Sequence, residues 1–152
     1  MPSQITTTWN GNNEVTQVNK GYDSGFSYQA WTTGLGYGTA LYGKVTSETD
    51  YDYGSGAYGS ALRTTNTSYA WQSPNPNYSS YLNNNLLDLD YSVQVLDGGG
   101  TQRAYTYYGY DESGLQSSGI TEQKVTGESF PGNETSVHRW LNSGTFTCPG
   151  GG

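Results

Sequence analysis

Apolar and polar positions alternate with a period of two through most of this chain, and no window carries a convincing helical stripe. Ile5–Trp9 and Glu14–Val18 alternate on either side of Asn10-Gly11-Asn12-Asn13, and an Asn-Gly between two such runs predicts a hairpin. Leu41–Tyr53 reads as a strand, with Ala61–Gln72 as its partner across the Gly54–Gly59 turn. In the second of these, Thr65, Thr67, Tyr69 and Trp71 share one face, and Thr64, Asn66, Ser68 and Ala70 the other. Tyr91–Leu96 and Arg103–Tyr110 flank Asp97-Gly98-Gly99-Gly100 as the clearest hairpin, with Tyr91, Val93 and Val95 on one face. A last strand is expected over Thr135–Leu141. Between these, Gly21–Gly43 is rich in Gly and aromatics and reads as short strands or a loop lying over a sheet face. Ser73-Pro74-Asn75-Pro76-Asn77 breaks any ladder, and the chain to Asn85 reads as a long surface loop. Leu82–Leu89 has room for a single helical turn, although Asn83, Asn84 and Asn85 are poor helix formers. The expected fold is all-β: an antiparallel, aromatic-rich sheet, open or stacked, with one domain over 1–147 and a flexible Gly-rich tail over 148–152.

One local device recurs along these strands: a Tyr-Asp followed by a Gly turn. It occurs as Tyr22-Asp23-Ser24-Gly25, as Tyr51-Asp52-Tyr53-Gly54 and as Tyr110-Asp111-Glu112-Ser113-Gly114. Tyr suits a half-buried pleated surface. The Asp carboxylate can accept nearby backbone N–H groups, and glycine tolerates the positive φ that closes a turn. A Val at Gly114 is therefore expected to harm folding. A repeated β unit points to stacked or wrapped sheets.

Composition changes the picture in one respect. Leu, Ile, Val and Phe make up only about a seventh of the 152 residues, a fraction typical of disorder when net charge is high. Here 15 Tyr and 4 Trp supply large apolar area, and only 12% of residues are charged. Packing by aromatics and Thr in thin layers is the consequence, and 22 Gly favour tight turns over long helices. The net charge of −7, with its few basic residues scattered singly, argues against a nucleic-acid partner. No apolar run approaches a membrane span. Met1–Trp9 lacks the features of a signal peptide, so either export takes another route or the chain is a processed piece. The abundance of Asn, Thr, Ser and Gly suggests an extracellular or cell-surface protein.

Candidate chemistry is sparse. Asp50/Asp52 and Asp88/Asp90 are i, i+2 pairs that share a face on a strand, a spacing compatible with paired glycosidase carboxylates or calcium ligands. The simpler reading, turn-forming or strand-end Asp on a solvated surface, is preferred, and no calcium motif accompanies them. His138 and Cys148 are the sole residues of their kinds. They are too few for a protein-only zinc site, and a Cys in a Gly/Pro tail makes a poor nucleophile. Gly98–Gly100 lacks the Lys-Ser/Thr of a phosphate loop. No metal or other cofactor is expected. Trp31, Trp71 and Trp140 form a candidate aromatic platform for sugars, set against cross-strand Tyr and Trp ladders worth ~0.2–1 kcal/mol per pair. Of the sequons at Asn66, Asn77 and Asn133, only Asn77 falls in a loop where a glycan is expected.

The Tyr-Asp-turn units, together with Leu62-Arg63-Thr64-Thr65, Asn85-Leu86-Leu87-Asp88-Leu89 and Gly132-Asn133-Glu134-Thr135-Ser136-Val137, resemble the YD repeats of the RHS (rearrangement hot spot) family. The likeness spans roughly residues 20–142. It implies a structural role without catalytic residues, since repeats of that family form a β-sheet spiralling into a hollow shell, often around a C-terminal toxin. This chain is shorter than such an array and lacks the Asp-Pro-x-Gly core motif and a toxin domain. An open sheet leaves unpaired edges, so pairing with copies of itself is expected, as a ring or, by preference, a fibre. The expected function is a non-enzymatic extracellular structural protein that self-assembles through its sheet edges. The alternative is a small carbohydrate-binding module with surface glycans as partners.

Overall fold

A computed structural model describes residues 1–9, 11–29, 36–113 and 130–140. The strands of the main sheet are β1 (Gln4–Trp9), β2 (Glu14–Tyr22), β5 (Val45–Tyr51), β7 (Ala61–Tyr69), β8 (Asp90–Asp97), β9 (Gln102–Tyr110) and β10 (Glu134–Arg139), in that spatial order. Each neighbour is antiparallel to the last, so the sheet is a meander that does not close on itself. The short β6 (Gly54–Ser55) adds to the first half of β2, where β5 has ended. A two-stranded ribbon, β3 (Phe26–Gln29) with β4 (Tyr37–Ala40), occupies the Gly- and aromatic-rich segment. The fold is all-β, as the period-two alternation predicts.

Several boundaries differ from the sequence reading, each for a local reason. The strand expected from Leu41 begins at Val45, because the amides of Tyr42, Gly43 and Lys44 are turned onto the Asp23 carboxylate. The strand expected to end at Val18 runs on to Tyr22, so Gly21 lies inside β2. β7 ends at Tyr69, and Ala70 and Trp71 leave the ladder to become core residues. The expected surface loop holds a short helix, α1 (Tyr78–Asn83), in spite of its Asn and Ser content. Buried Asn75 organises its start: Nδ2 donates to the Ala70 carbonyl at 2.6 Å, and Oδ1 accepts the Asn77 N–H at 3.0 Å. Burial of Tyr81 on the inner side then offsets the weak propensities.

The core is small and sits at one end of the sheet. Among the described residues only Val15, Ala70, Trp71 and Tyr81 are buried hydrophobics. Tyr42, Tyr69, Leu82, Leu86, Leu87, Leu89, Tyr110 and Phe130 pack around the last three. Trp71 donates its indole N–H to the Leu87 carbonyl, so the ring is buried without an unpaired donor. The long connections 23–44, 70–89 and 111–133 all leave the sheet at this end. The short connections 10–13, 52–60 and 98–101 are all at the other end.

Candidate functional site: bulged hairpins, sheet edges and an aromatic cleft

The Tyr-Asp units share one backbone geometry. Tyr22, Tyr51 and Tyr110 each sit opposite the first residue of the next strand: Val45, Ala61 and Glu134. The residue before each tyrosine instead faces a position two further on, so the second strand bulges by one residue. The following Asp N–H, of Asp23, Asp52 or Asp111, donates to the carbonyl just before that strand, at 2.9–3.0 Å. Two further hairpins carry the same geometry without the Tyr-Asp signature. Tyr69 faces Asp90 with Ala70 N–H on the Leu89 carbonyl, and Leu96 faces Gln102 with Asp97 N–H on the Thr101 carbonyl. Five successive strand pairs are thus closed by one bulged unit. The apolar-Asp-Gly string Leu96-Asp97-Gly98 was the available signal for the fourth; Tyr69-Ala70 offers none.

The carboxylates of the units differ in use. Asp23 is 3% exposed and accepts four backbone N–H groups: Gly25 and Tyr42 on Oδ1, Gly43 and Lys44 on Oδ2, all at 2.8–2.9 Å. Burial pushes this carboxyl up, but the four amides together outweigh it and hold it below the ordinary carboxylate range. Asp111 reaches across to Gly132 and Asn133 N–H and shares the Tyr81 hydroxyl hydrogen with the Tyr110 carbonyl. Asp111 itself takes a positive φ there, at 53°, as does Gly132 across from it, at 86°. Asp97 accepts Gly99 and Thr101 N–H and pairs with Arg103. Asp52 makes one local bond, from Tyr53 N–H. Gly25 has the expected positive φ of 70°, whereas in the second unit that role falls to Gly56, and Gly54 lies in β6 opposite Val15. Gly114 lies outside the described residues.

The two faces of the sheet are chemically unlike. Residues directly opposite one another share a face, and one face carries Gln4, Thr6 and Thr8 on β1, then Gln17 and Asn19, Ser47 and Thr49, Thr64, Asn66 and Ser68, and Ser92 and Gln94. No charged side chain interrupts this run. It is stitched by Gln4–Gln17 at 2.5 Å, Gln17–Asn19 at 2.7 Å, Thr49–Thr64 at 3.0 Å, Ser68–Ser92 at 2.7 Å and Gln94–Gln102 at 2.8 Å. The other face holds Val93 and Val95 together with the opposed ion pairs Lys20–Glu48 and Asp50–Arg63.

The candidate acids are engaged in structure. Asp50 is paired with Arg63, and Asp88, whose side chain is largely exposed, with Lys44. Asp90 is pushed up by burial and then by Asp88. Among the described residues no group of three or more His, Cys, Asp or Glu converges on a metal position, and no helix is long and apolar enough to cross a membrane. His138 is exposed, its ring 5.7 Å from that of Tyr107; Cys148 and the tail lie outside the described residues.

The three tryptophans do not assemble into a platform. Trp71 is 5% exposed, Trp140 follows β10 at the sheet margin, and Trp31 is outside the described residues. Trp71 instead joins Phe26, Tyr42 and Tyr78 in lining a cleft of about 510 Å3. Phe26 stands 4.7 Å from Tyr42, Tyr42 stands 4.8 Å from Trp71, and Tyr78, Gln72 and Ser24 complete the walls. A smaller cavity of about 330 Å3 lies between Tyr81, Tyr91, Tyr107 and Tyr110 and is bordered by Asn77. The Tyr91 and Tyr107 rings meet edge to face at 4.8 Å, a cross-strand tyrosine pair of the expected kind. Of the sequon asparagines, Asn66 is tied to Gln94, Asn77 is half-buried before α1, and Asn133 is exposed.

At the sheet margins, all six residues of β1 are exposed, and none is charged or a proline. β10, by contrast, carries Glu134, His138 and Arg139, all exposed. Comparison with known proteins found no matching family model, no matching curated protein and no matching solved structure.

Proposed function

We propose that this chain is a non-enzymatic structural module of YD-repeat type that self-assembles through its sheet edges into a fibre or shell wall at the cell surface or outside the cell. The observation that supports this best is β1: a six-residue, exposed, uncharged, proline-free margin with no strand on its outer side among the described residues. Natural sheets blunt such margins with charge, proline or a covering loop, and an unguarded one is a template for another strand. The use of the Tyr-Asp carboxylates as clasps for backbone amides is in keeping with a scaffold. Sedimentation velocity over a wide concentration range, with electron microscopy alongside, tests the proposal. Regular oligomers or filaments support it, and a monomer at every concentration refutes it.

The aromatic cleft favours one second reading, a carbohydrate-binding module. Phe26, Tyr42 and Tyr78 offer ring faces beside the polar groups of Gln72 and Ser24, the mix that sugar sites use. This reading requires tryptophan fluorescence to shift when neutral oligosaccharides are added and the shift to vanish in Tyr42→Ala.

A further inference from the structure

We infer that the self-assembly proposed above begins with a second copy of this chain pairing β1 against β1 about a two-fold axis through Thr6, which joins the two sheets into one antiparallel sheet. The inference rests on that reading and names its contact.

Three observations carry it. The first is hydrogen-bond phase. The Lys20 N–H donates to the Ser3 carbonyl at 2.7 Å, in register with Gln4 opposite Asn19 and Ile5 opposite Val18. Hydrogen-bonded pairs alternate along an antiparallel ladder, so Ser3, Ile5, Thr7 and Trp9 turn their backbone groups towards β2. Gln4, Thr6 and Thr8 therefore point theirs outward. An axis at Thr6 sets Thr6 against Thr6 and Gln4 against Thr8 of the second copy, and every outward group of the three residues gains a partner.

The second observation is strand direction. Seven strands in an all-antiparallel path leave β1 and β10 running the same way. Stacking copies by simple translation would set β10 against β1 in parallel, whereas a two-fold axis makes β1–β1 antiparallel, the more stable pairing per residue. The third is charge. β10 carries Glu134 and Arg139, which guard it, while β1 carries none. The side chains that meet, Gln4, Thr6 and Thr8, are the outermost members of the uncharged polar run, which continues across the junction without a like-charge contact. Because an isologous contact closes on itself, any fibre is a fibre of dimers.

The test uses Thr6→Cys and Thr8→Cys in a Cys148→Ser background, oxidised mildly under native conditions. Opposed Thr6 positions in a hydrogen-bonded pair place their Cα atoms about 5.5 Å apart, within disulfide range. The Thr8 positions of the two copies lie roughly 14 Å apart and cannot be bridged. We expect a covalent dimer from Thr6→Cys alone. Thr6→Lys sets two ammonium groups opposite each other and is expected to weaken dimerisation about tenfold or more while circular dichroism stays unchanged. Assemblies that survive Thr6→Lys and give no Thr6→Cys dimer would overturn this contact but leave self-assembly standing. A wild-type monomer at every concentration would overturn both.

Discussion

Replacing Asp23 by Asn removes half of the clasp while leaving its shape. Oδ1 still accepts the Gly25 and Tyr42 N–H groups, but an amide nitrogen in place of Oδ2 turns a donor towards the donors of Gly43 and Lys44. Hydrogen bonds to a charged acceptor contribute ~1.5–3 kcal/mol each, so losing two of them costs about 3–5 kcal/mol once partial rearrangement is allowed. For a chain of this size that is a fall in Tm of roughly 6–20 °C. Asp52→Asn is the internal control. Asp52 occupies the same place in its hairpin but accepts only the Tyr53 N–H, and its loss should cost under ~1 kcal/mol. The pH dependence carries a second signature. Because the folded pKa of Asp23 is depressed, its contribution is complete above the unfolded carboxyl pKa of about 4 and is lost as pH falls through the folded value. Urea unfolding from neutral to strongly acidic pH should therefore show a steeper acid limb in the wild type than in Asp23→Asn. If Asp23→Asn and Asp52→Asn unfold within ~0.5 kcal/mol of each other, the clasp is not what closes the β2–β5 pair.

Two further substitutions probe the same end of the sheet, with a control at the other end. Gly25→Ala puts a Cβ 1.9 Å from the Ala40 carbonyl oxygen at a φ of +70°, and should cost about 2–4 kcal/mol. Gly100→Ala, at a φ of +81° with open space around it, should cost only about 1 kcal/mol, and equal losses in thermal unfolding would refute the steric argument. Tyr81→Phe removes the hydroxyl shared by the Tyr110 carbonyl and Asp111 and should lower stability by about 1–2 kcal/mol in chemical denaturation, with no loss counting against a link between α1 and the last hairpin.

The strands were legible because a half-buried antiparallel strand writes its period into the side chains. Thr64–Ser68 and Val93–Val95 show that pattern plainly and are strands with the facing residues expected, whereas Tyr91 falls at the bulge before Ser92 and its ring turns to Tyr107, opposite Ser92. What escaped the sequence is what depends on distant partners. Asp23 makes the local bond to Gly25 that its spelling suggests, but it also closes on amides about twenty residues ahead, and Asp111 does the same at Gly132 and Asn133, which no local pattern marks. α1 was hidden because its helix-forming impetus lies in Asn75 and in the burial of Tyr81, not in residue propensity. Trp71 illustrates the opposite error. Alternation continues two residues beyond the true end of β7, so a core tryptophan looked like a face residue free to stack on a sugar.

The unequal ends of the sheet divide the chain into a part that must be conserved in length and a part that need not be. Connection 10–13 joins β1 to β2 with no bulged unit, so its length sets that register, and a one-residue slip there would flip side chains from the uncharged face to the charged one. At the opposite rim each strand pair is already locked by a bulge and a bridging amide before the long connection departs. An insertion in those connections that spares the Tyr42–Lys44 amides and core residues such as Trp71 and Tyr81 leaves the ladder untouched, since the entropy of closing a longer loop rises only slowly. A sheet built this way can acquire new surface features along one rim, one hairpin at a time, while its strands stay in step.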